Sequence, residues 1–162
     1  MCYVILAFLY KMYLNEFNQN IPVMDDFSVM VSNQSAFVLN KLKGEEVASL
    51  ENTPFYIKFF YNHNYVANIT EGCNVLSIII LFISFIIAFT GKLKHTIGFI
   101  IGGSLLIYII NILRISFLIL LIYYFPQMQN FWHNVVFPLI IYGLVLILWI
   151  VWIKKFSLNL KK

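Results

Sequence analysis

The sequence predicts an all-α integral membrane protein with about four transmembrane helices and an extracytoplasmic segment between the first and the second. Composition is the first reason: the 162 residues are 61% hydrophobic and 11% charged, whereas soluble domains are roughly 45–50% apolar and 25% charged. The length of the apolar runs is the second reason, because three of them approach the roughly 20 residues that a helix needs to cross a bilayer.

The first predicted helix is incomplete. Residues 1–14 are apolar but interrupted by Lys11, and they are shorter than a full crossing. A signal-peptide core is the alternative, but no small-residue cleavage site follows. We therefore interpret residues 1–14 as the end of a first transmembrane helix that starts upstream of Met1.

Residues 15–70 form the predicted extracytoplasmic segment and hold six of the seven acidic residues. Asp25 and Asp26 are typical of a helix start and Gly44 of a helix end. Ser49–Val66 is rich in Phe and Tyr with partial alternation, which indicates short strands or an interfacial loop. The apolar side chains before Gly44 recur at roughly helical spacing: Phe27, Val31, Phe37, Val38 and Leu42.

Residues 71–155 form the predicted three-helix membrane core, with crossings at about 73–89, 97–123 and 135–153. Lysines cluster after the first crossing and after the third, where residues 156–162 form a basic tail. The positive-inside bias places these lysines in the cytoplasm. The basic residues are therefore explained by topology, and no nucleic-acid partner is expected.

Three glycines near the start of the second crossing predict close contact between helices. Gly98 and Gly102 are four residues apart, and Gly103 follows. Small residues at this spacing lie on one helix face and let a neighbouring backbone approach.

Cys73 stands where the polar segment meets the membrane core, in the run Glu71-Gly72-Cys73-Asn74. A free cysteine is often simply a small buried apolar residue. A helix N-terminus, however, favours the thiolate form, which is the nucleophile. Cys2 is the other cysteine, and the predicted topology places it near the inner face, too far away to pair with Cys73.

Arg114 is the only arginine and lies inside an apolar helix. Placing such a charge in a membrane costs about 2.5–3.5 kcal/mol on insertion scales, which favours a function over a side chain that snorkels to headgroups. Nine residues separate it from the outer helix end, a depth of roughly 13 Å. Tyr108 and Asn111 are expected on the same face and are candidate supporting or substrate-binding residues.

His133 opens the last predicted helix in the run Phe131-Trp132-His133-Asn134. It is either an interfacial histidine in an aromatic belt or a general acid and base, since its pKa lies near neutrality. Asn134 and Asn74 are further supporting candidates, whereas His63 and His95 are weaker ones. No spacing of His and Cys fits structural zinc, and we expect neither a metal nor a cofactor.

The predicted topology brings Cys73, Arg114 and His133 into one layer near the outer leaflet, although Arg114 is expected to lie deeper than Cys73. The Cys73 thiolate would attack an amide carbonyl and form a thioester. His133 would manage the protons, and Arg114 would stabilise the oxyanion or hold the substrate.

These residues resemble the three motif blocks of the exosortase/archaeosortase family, and most closely the compact F subtype of Bacteroidetes. The blocks are Glu71-Gly72-Cys73-Asn74, Asn111-Ile112-Leu113-Arg114 and His133, and the resemblance spans about residues 65–152. It implies a catalytic set of Cys73, Arg114 and His133.

The resemblance also implies a function: a cysteine peptidase or transpeptidase in the bacterial inner membrane, with its site towards the periplasm. Its substrates would be exported proteins whose C-terminal sorting signal pairs a short motif with a membrane helix and a basic tail. The alternative is a non-catalytic assembly or transport subunit that uses Arg114 as a structural or ligand-binding charge.

Overall fold

The computed structural model of the chain describes residues 26–44, 47–53, 55–69, 75–89 and 91–156. The predicted first helix, residues 1–14, lies outside them, as does most of the basic tail. In chain order the elements are α1 (Asp26–Lys43), β1 (Ala48–Asn52), β2 (Ile57–Tyr61), β3 (Asn64–Ile69), α2 (Leu76–Ala88), α3 (Leu93–Tyr124) and α4 (Phe137–Lys155). Three short turns lead into α4: a 3₁₀ turn (Pro126–Met128), an α turn (Gln129–Phe131) and a π-helical turn (Trp132–Val136).

Helix α1 forms where the sequence predicted a helix. Asp26 occupies its first turn, where a carboxylate interacts favourably with the helix dipole. Gly44 follows its last residue with a φ of +74°, a left-handed conformation that glycine adopts without strain. The N–H of Gly44 donates to the carbonyl of Asn40 at 2.9 Å. Phe37 and Leu42 are exposed, so the buried face differs in part from the apolar spacing.

The aromatic stretch after α1 is a three-stranded antiparallel sheet in the order β1-β2-β3, so the fold is mostly helical rather than all-α. Ile57, Phe59 and Tyr61 of β2 are buried in alternation, the pattern of a half-buried strand. Asn62 and His63 both have positive φ, as a type I′ hairpin turn requires. Burial raises the pKa of the Tyr61 phenol above its usual value.

The first hydrophobic core joins α1 and the sheet to the C-terminal half of α3. Ile115 and Ile119 of α3 pack with Leu39 of α1 and with Phe59 and Tyr61 of β2, and all five are buried. Removing this apolar surface from water, or from lipid headgroups, attaches the polar segment of the chain to one end of the long helix.

The seam between α1 and α3 is close and polar. The Ser116 hydroxyl donates to the carbonyl of Ser35 at 3.1 Å, and the Tyr108 hydroxyl donates to Oε1 of Gln34 at 2.7 Å. Small side chains let two helix backbones approach each other, as in membrane helix pairs. They make up much of the buried face of α1: Ser28, Ser32, Ser35 and Ala36.

The second hydrophobic core joins α2, the N-terminal half of α3 and α4. Its buried members are Val75, Phe82, Ile86, Ile107, Val145 and Trp152. The Trp152 indole N–H donates to the carbonyl of Phe89 at 2.8 Å, which satisfies a carbonyl at the end of α2 and joins that end to α4. Helix α3 therefore contributes to both cores.

Two helical segments are long and apolar enough to cross a membrane, Leu93–Tyr124 and Pro126–Lys155, and they indicate membrane association. Helix α2 is shorter than the crossing predicted at about 73–89. Its 13 residues span about 20 Å, less than the roughly 30 Å of a bilayer's hydrocarbon core. Helix α3, with 32 residues, spans about 48 Å and exceeds that thickness.

The glycine face of α3 makes one close contact within the described part of the chain. A Cβ atom on Gly103 would overlap the ring of Phe82, so this ring packs directly on the helix backbone. At Gly98 and Gly102 no described atom lies within 4 Å of the same position. The predicted close contact is therefore confirmed at Gly103, and at Gly98 and Gly102 it stays a prediction.

The Gly103 contact predicts a position-specific loss of stability. Gly103→Ala is expected to lower the free energy of unfolding by about 1–3 kcal/mol, the usual cost of overpacking, because the fully buried Phe82 ring has no room to move. Gly102→Ala adds the same methyl group at the next residue and is the matched control. Thermal unfolding in detergent compares the two, and equal melting temperatures would contradict the described packing of α2 on α3.

Candidate active site

A cleft of about 370 Å³ lies between β3, the C-terminal half of α3 and the turns that lead into α4. Strand β3 contributes Tyr65–Ile69, and helix α3 contributes Arg114 and several apolar residues as far as Ile122. The turns contribute Gln129 and His133. Arg114 and His133, which were predicted from separate parts of the sequence, thus line one cavity.

Helix α3 holds Arg114 at the edge of the first core. Its neighbours Ile115 and Ile119 also line the cleft and are buried against the sheet, which fixes the rotation of the helix. Arg114 is half-buried. A guanidinium in such a place offers a planar fork of N–H donors that matches the oxygens of a carbonyl or a carboxylate.

His133 lies in the π-helical turn Trp132–Val136, a form that occurs mostly as single turns and often at functional sites. Pro138, in the first turn of α4, provides the physical cause. Its ring has no N–H and would clash with the carbonyl four residues earlier in a regular helix. The helix widens instead, and the N–H of Phe137 bonds the carbonyl of Trp132. His133 is exposed and lines the cleft from this widened turn.

The described lining of the cleft contains one permanent cation and no carboxylate. Arg114 supplies the charge, and His133 adds an imidazole, whose two ring nitrogens can serve as hydrogen-bond donor and acceptor. Tyr65, Asn68 and Gln129 add neutral polar groups. This arrangement can bind an oxygen-rich group and transfer a proton. No three His, Cys, Asp or Glu side chains come together in the described ranges as a metal site would require.

Three predicted supporting residues lie elsewhere. Tyr108 bonds Gln34 of α1, Asn111 is fully buried in α3, and neither lines the cleft. Asn134 is exposed next to His133, also outside the lining. The six residues from Tyr108 to Arg114 rotate a helix by about 600°, so these two side chains point about 120° apart. Asn111 lies between them, about 60° from each, and therefore shares a face with Arg114.

Cys73 and Asn74, the predicted nucleophile and its neighbour, lie outside the described residues. They fall in the chain between Ile69 and Val75. Ile69 ends β3 and lines the cleft, whereas Val75 precedes α2 and is buried in the second core. The chain thus passes from the cleft wall to the helical core within the segment that contains the predicted nucleophile.

Several lining residues were not predicted. Strand β3 was expected only as one of several possible short strands, and Gln129 was not considered. Sequence patterns give no signal for Gln129, which lies in an exposed turn. Tyr65 and Asn68 are exposed polar residues in a strand, and this was the only available indication that β3 borders a site.

Comparison of the chain with protein-family models, with curated proteins and with solved structures finds no match.

The cleft predicts a short distance between two residues far apart in the sequence. Spin labels at Asn68→Cys and His133→Cys, in a Cys2→Ala, Cys73→Ala background, are expected to broaden each other's electron paramagnetic resonance spectra by dipolar coupling, because both positions line the same 370 Å³ cavity. Labels at Asn68→Cys and Ile147→Cys, an exposed position further along α4, are the control. If the dipolar coupling between labels at positions 68 and 133 is no stronger than in the control pair, the described cleft is contradicted.

Proposed function

We propose that the protein is a membrane-embedded cysteine transpeptidase or protease of the exosortase kind, with Cys73 as nucleophile, His133 as proton carrier and Arg114 as the group that stabilises the oxyanion. The shared cleft carries this proposal: Arg114 and His133 line one cavity, and the wall of that cavity includes Ile69, four residues before Cys73. The resemblance of the three motif blocks to exosortases supports the same set of residues.

The packing of α2 on α3 is compatible with a nucleophile near Arg114. Phe82 packs on Gly103, which sets the register of these two antiparallel helices. Val75 is seven residues from Phe82, and Arg114 is eleven from Gly103 in the same direction, so their levels differ by about 6 Å. Two residues of extended chain would let Cys73 lie up to about 7 Å beyond Val75, which covers this difference.

In the proposed reaction, His133 accepts the thiol proton and the Cys73 sulfur attacks a peptide carbonyl carbon. The carbonyl oxygen takes up the negative charge next to Arg114, whose guanidinium stabilises it. Collapse of this intermediate breaks the C–N bond, and His133 returns the proton to the departing amine. Water or a second amine then gives a proton to His133 and attacks the thioester carbon. The C–S bond breaks, the sulfur takes the proton back from His133, and the product is released.

The length of α3 supports a site at the outer surface of a bacterial inner membrane. The positive-inside bias assigns the end with Lys92 and Lys94 to the cytoplasm. A helix of about 48 Å then extends beyond a core of roughly 30 Å, and its far half carries α1 and the sheet. In this arrangement Arg114 lies near the periplasmic interface, not roughly 13 Å deep, and the expected depth mismatch with Cys73 disappears.

A site in this position would act on proteins held in the same membrane. The substrates implied by the resemblance carry a C-terminal helix and a basic tail, so their cleavage motif would stand at the level of the cleft. The basic tail would remain on the cytoplasmic side, where this chain's own lysines are assigned.

The alternative is a non-catalytic assembly or transport subunit. The observation that favours it is the position of Arg114 directly before Ile115 and Ser116, which pack on the sheet and on α1. A charge at this place could serve the packing of the polar segment or bind an anionic ligand without any chemistry at Cys73.

The reactivity of Cys73 tests the proposal. With Cys2→Ala, Cys73 is the only thiol, and we expect rapid reaction with iodoacetamide below about pH 7, under the usual thiol pKa near 8.5. Arg114→Gln removes a positive charge that favours the thiolate, and His133→Ala removes the group that accepts the thiol proton. Each should therefore move the midpoint of the rate–pH profile up by about one unit or more.

His95→Ala is the matched control for the histidine, because His95 contacts Phe156 at the other end of α3, and it should leave the profile unchanged. Circular dichroism and melting temperature verify that each variant is folded. If Cys73 reacts as an ordinary thiol and neither site substitution changes its rate–pH profile, the assignment of the nucleophile fails. The non-catalytic alternative then becomes the better account.

A further inference from the structure

The cleft is bordered by five consecutive residues of β3, Tyr65–Ile69. Successive side chains of a strand point to opposite faces of its sheet. A cavity that lay over one face would therefore contact every second residue. Ala67, Asn68 and Ile69 pair with β2 in regular register, so contact with all three in a row indicates that the cavity runs along the edge of the strand, where the backbone N–H and C=O groups are.

Strand β3 is the last strand in the order β1-β2-β3 and pairs only with β2 among the described strands. The register of this pairing shifts where Phe59 pairs with Ala67 and Phe60 with Tyr65, so Val66 is the extra residue of a β-bulge. Bulges bend and twist an edge strand and occur next to active sites, where they redirect side chains. The bulge at Val66 lies within the part of β3 that borders the cleft.

We infer that the cleft binds an extended peptide as a fourth strand, paired with the edge of β3 that borders the cleft next to Arg114 and His133. An edge strand is a template for such pairing, in which main-chain hydrogen bonds supply affinity and pockets for alternate side chains supply selectivity. Tyr65–Ile69 offers an edge of about 17 Å. This inference rests on the proposed function, for which it describes how the substrate is held.

The charge of the side chains that line the cleft determines which extended peptides it binds well. The described lining has a permanent cation at Arg114, a titratable His133 and no carboxylate. A peptide with an Asp or Glu side chain complements this lining, whereas one with Lys or Arg at the same position is repelled. The occupant is therefore an extended, acidic peptide segment, and Arg114 contacts either its carboxylate or the carbonyl next to it.

The test uses a mixture of random octapeptides, N-acetylated and C-amidated, with the full chain purified in detergent. The protein carries Cys73→Ala, so that binding is measured without turnover. Peptides that remain with the protein after size-exclusion chromatography are identified by mass spectrometry. Enrichment of acidic peptides is expected, and Arg114→Gln should reduce the preference for Asp and Glu by about tenfold, as for a hydrogen bond to a charged group.

A blocked cleft is the negative control. Leu118 lines the cleft, so Leu118→Trp fills it and should abolish retention of the peptides. Phe117→Trp changes the preceding residue, which is exposed and outside the lining, and should retain them. Melting temperatures establish that both variants fold. Equal retention by the two variants, or retention by neither, would overturn the inference.

N-methylation of the best peptide tests the pairing itself without altering the protein. A strand bonds its neighbour through alternate residues, so N-methyl groups at every second position should each weaken binding by about tenfold or more. Those at the intervening positions should have little effect. If N-methylation has no effect on binding, or if methyl groups at consecutive positions of the peptide weaken binding equally, pairing with β3 is overturned.

The two proposals fail in different ways. If acidic peptides bind with the alternating pattern but the wild-type chain neither cleaves them nor forms a thioester, the edge site stands and the cysteine chemistry fails. If Cys73 shows the expected reactivity but no peptide is retained, the chemistry stands and the edge site fails.

Discussion

The fold depends on one long helix that serves two hydrophobic cores. The N-terminal half of α3 packs with α2 and α4, and the C-terminal half carries α1 and the sheet. Tyr108 packs against both cores and also bonds Gln34 of α1. Because a helix of this length is stiff, the sheet edge, Arg114 and the start of α2 are all positioned relative to a single element, and the cleft is a consequence of that arrangement.

The seam between α1 and α3 joins a polar segment to an apolar helix without leaving its hydroxyl groups unsatisfied. Ser32 and Ser35 donate to carbonyls one turn earlier in α1, and Ser116 donates to carbonyls on both helices. Close packing of small residues provides the contact area, and the hydrogen bonds fix the register. Ser116 is two residues after Arg114 on α3, so the packing that holds Ser116 in this seam also fixes the helix that carries Arg114.

The parts of the fold that could be predicted were those with a local physical cause. The ends of α1 are predictable because a carboxylate such as Asp26 interacts favourably with the helix dipole and because glycine, here Gly44, adopts the left-handed conformation. Arg114 is predictable as a candidate site residue because a charge in an apolar helix costs free energy. The parts that could not be predicted depend on tertiary contacts. Nothing local distinguishes Gly103, which meets Phe82, from Gly102, which meets no described atom, and nothing local predicts that Tyr108 bonds Gln34 of α1.

Local irregularities of the backbone occur on two sides of the cleft. The bulge at Val66 disturbs the ladder between β2 and β3, and the π-helical turn at Trp132–Val136 widens the helix before Pro138. A regular strand or helix repeats its side-chain directions at fixed intervals and cannot redirect a single group. These two local deviations alter the direction of the β3 edge and of His133, while the regular helix α3 between them holds Arg114 in place. The proposed site would bring together a strand edge, a proton carrier and a fixed charge. It would rely on one rigid helix, α3, and on two irregular segments, the bulge in β3 and the π-helical turn.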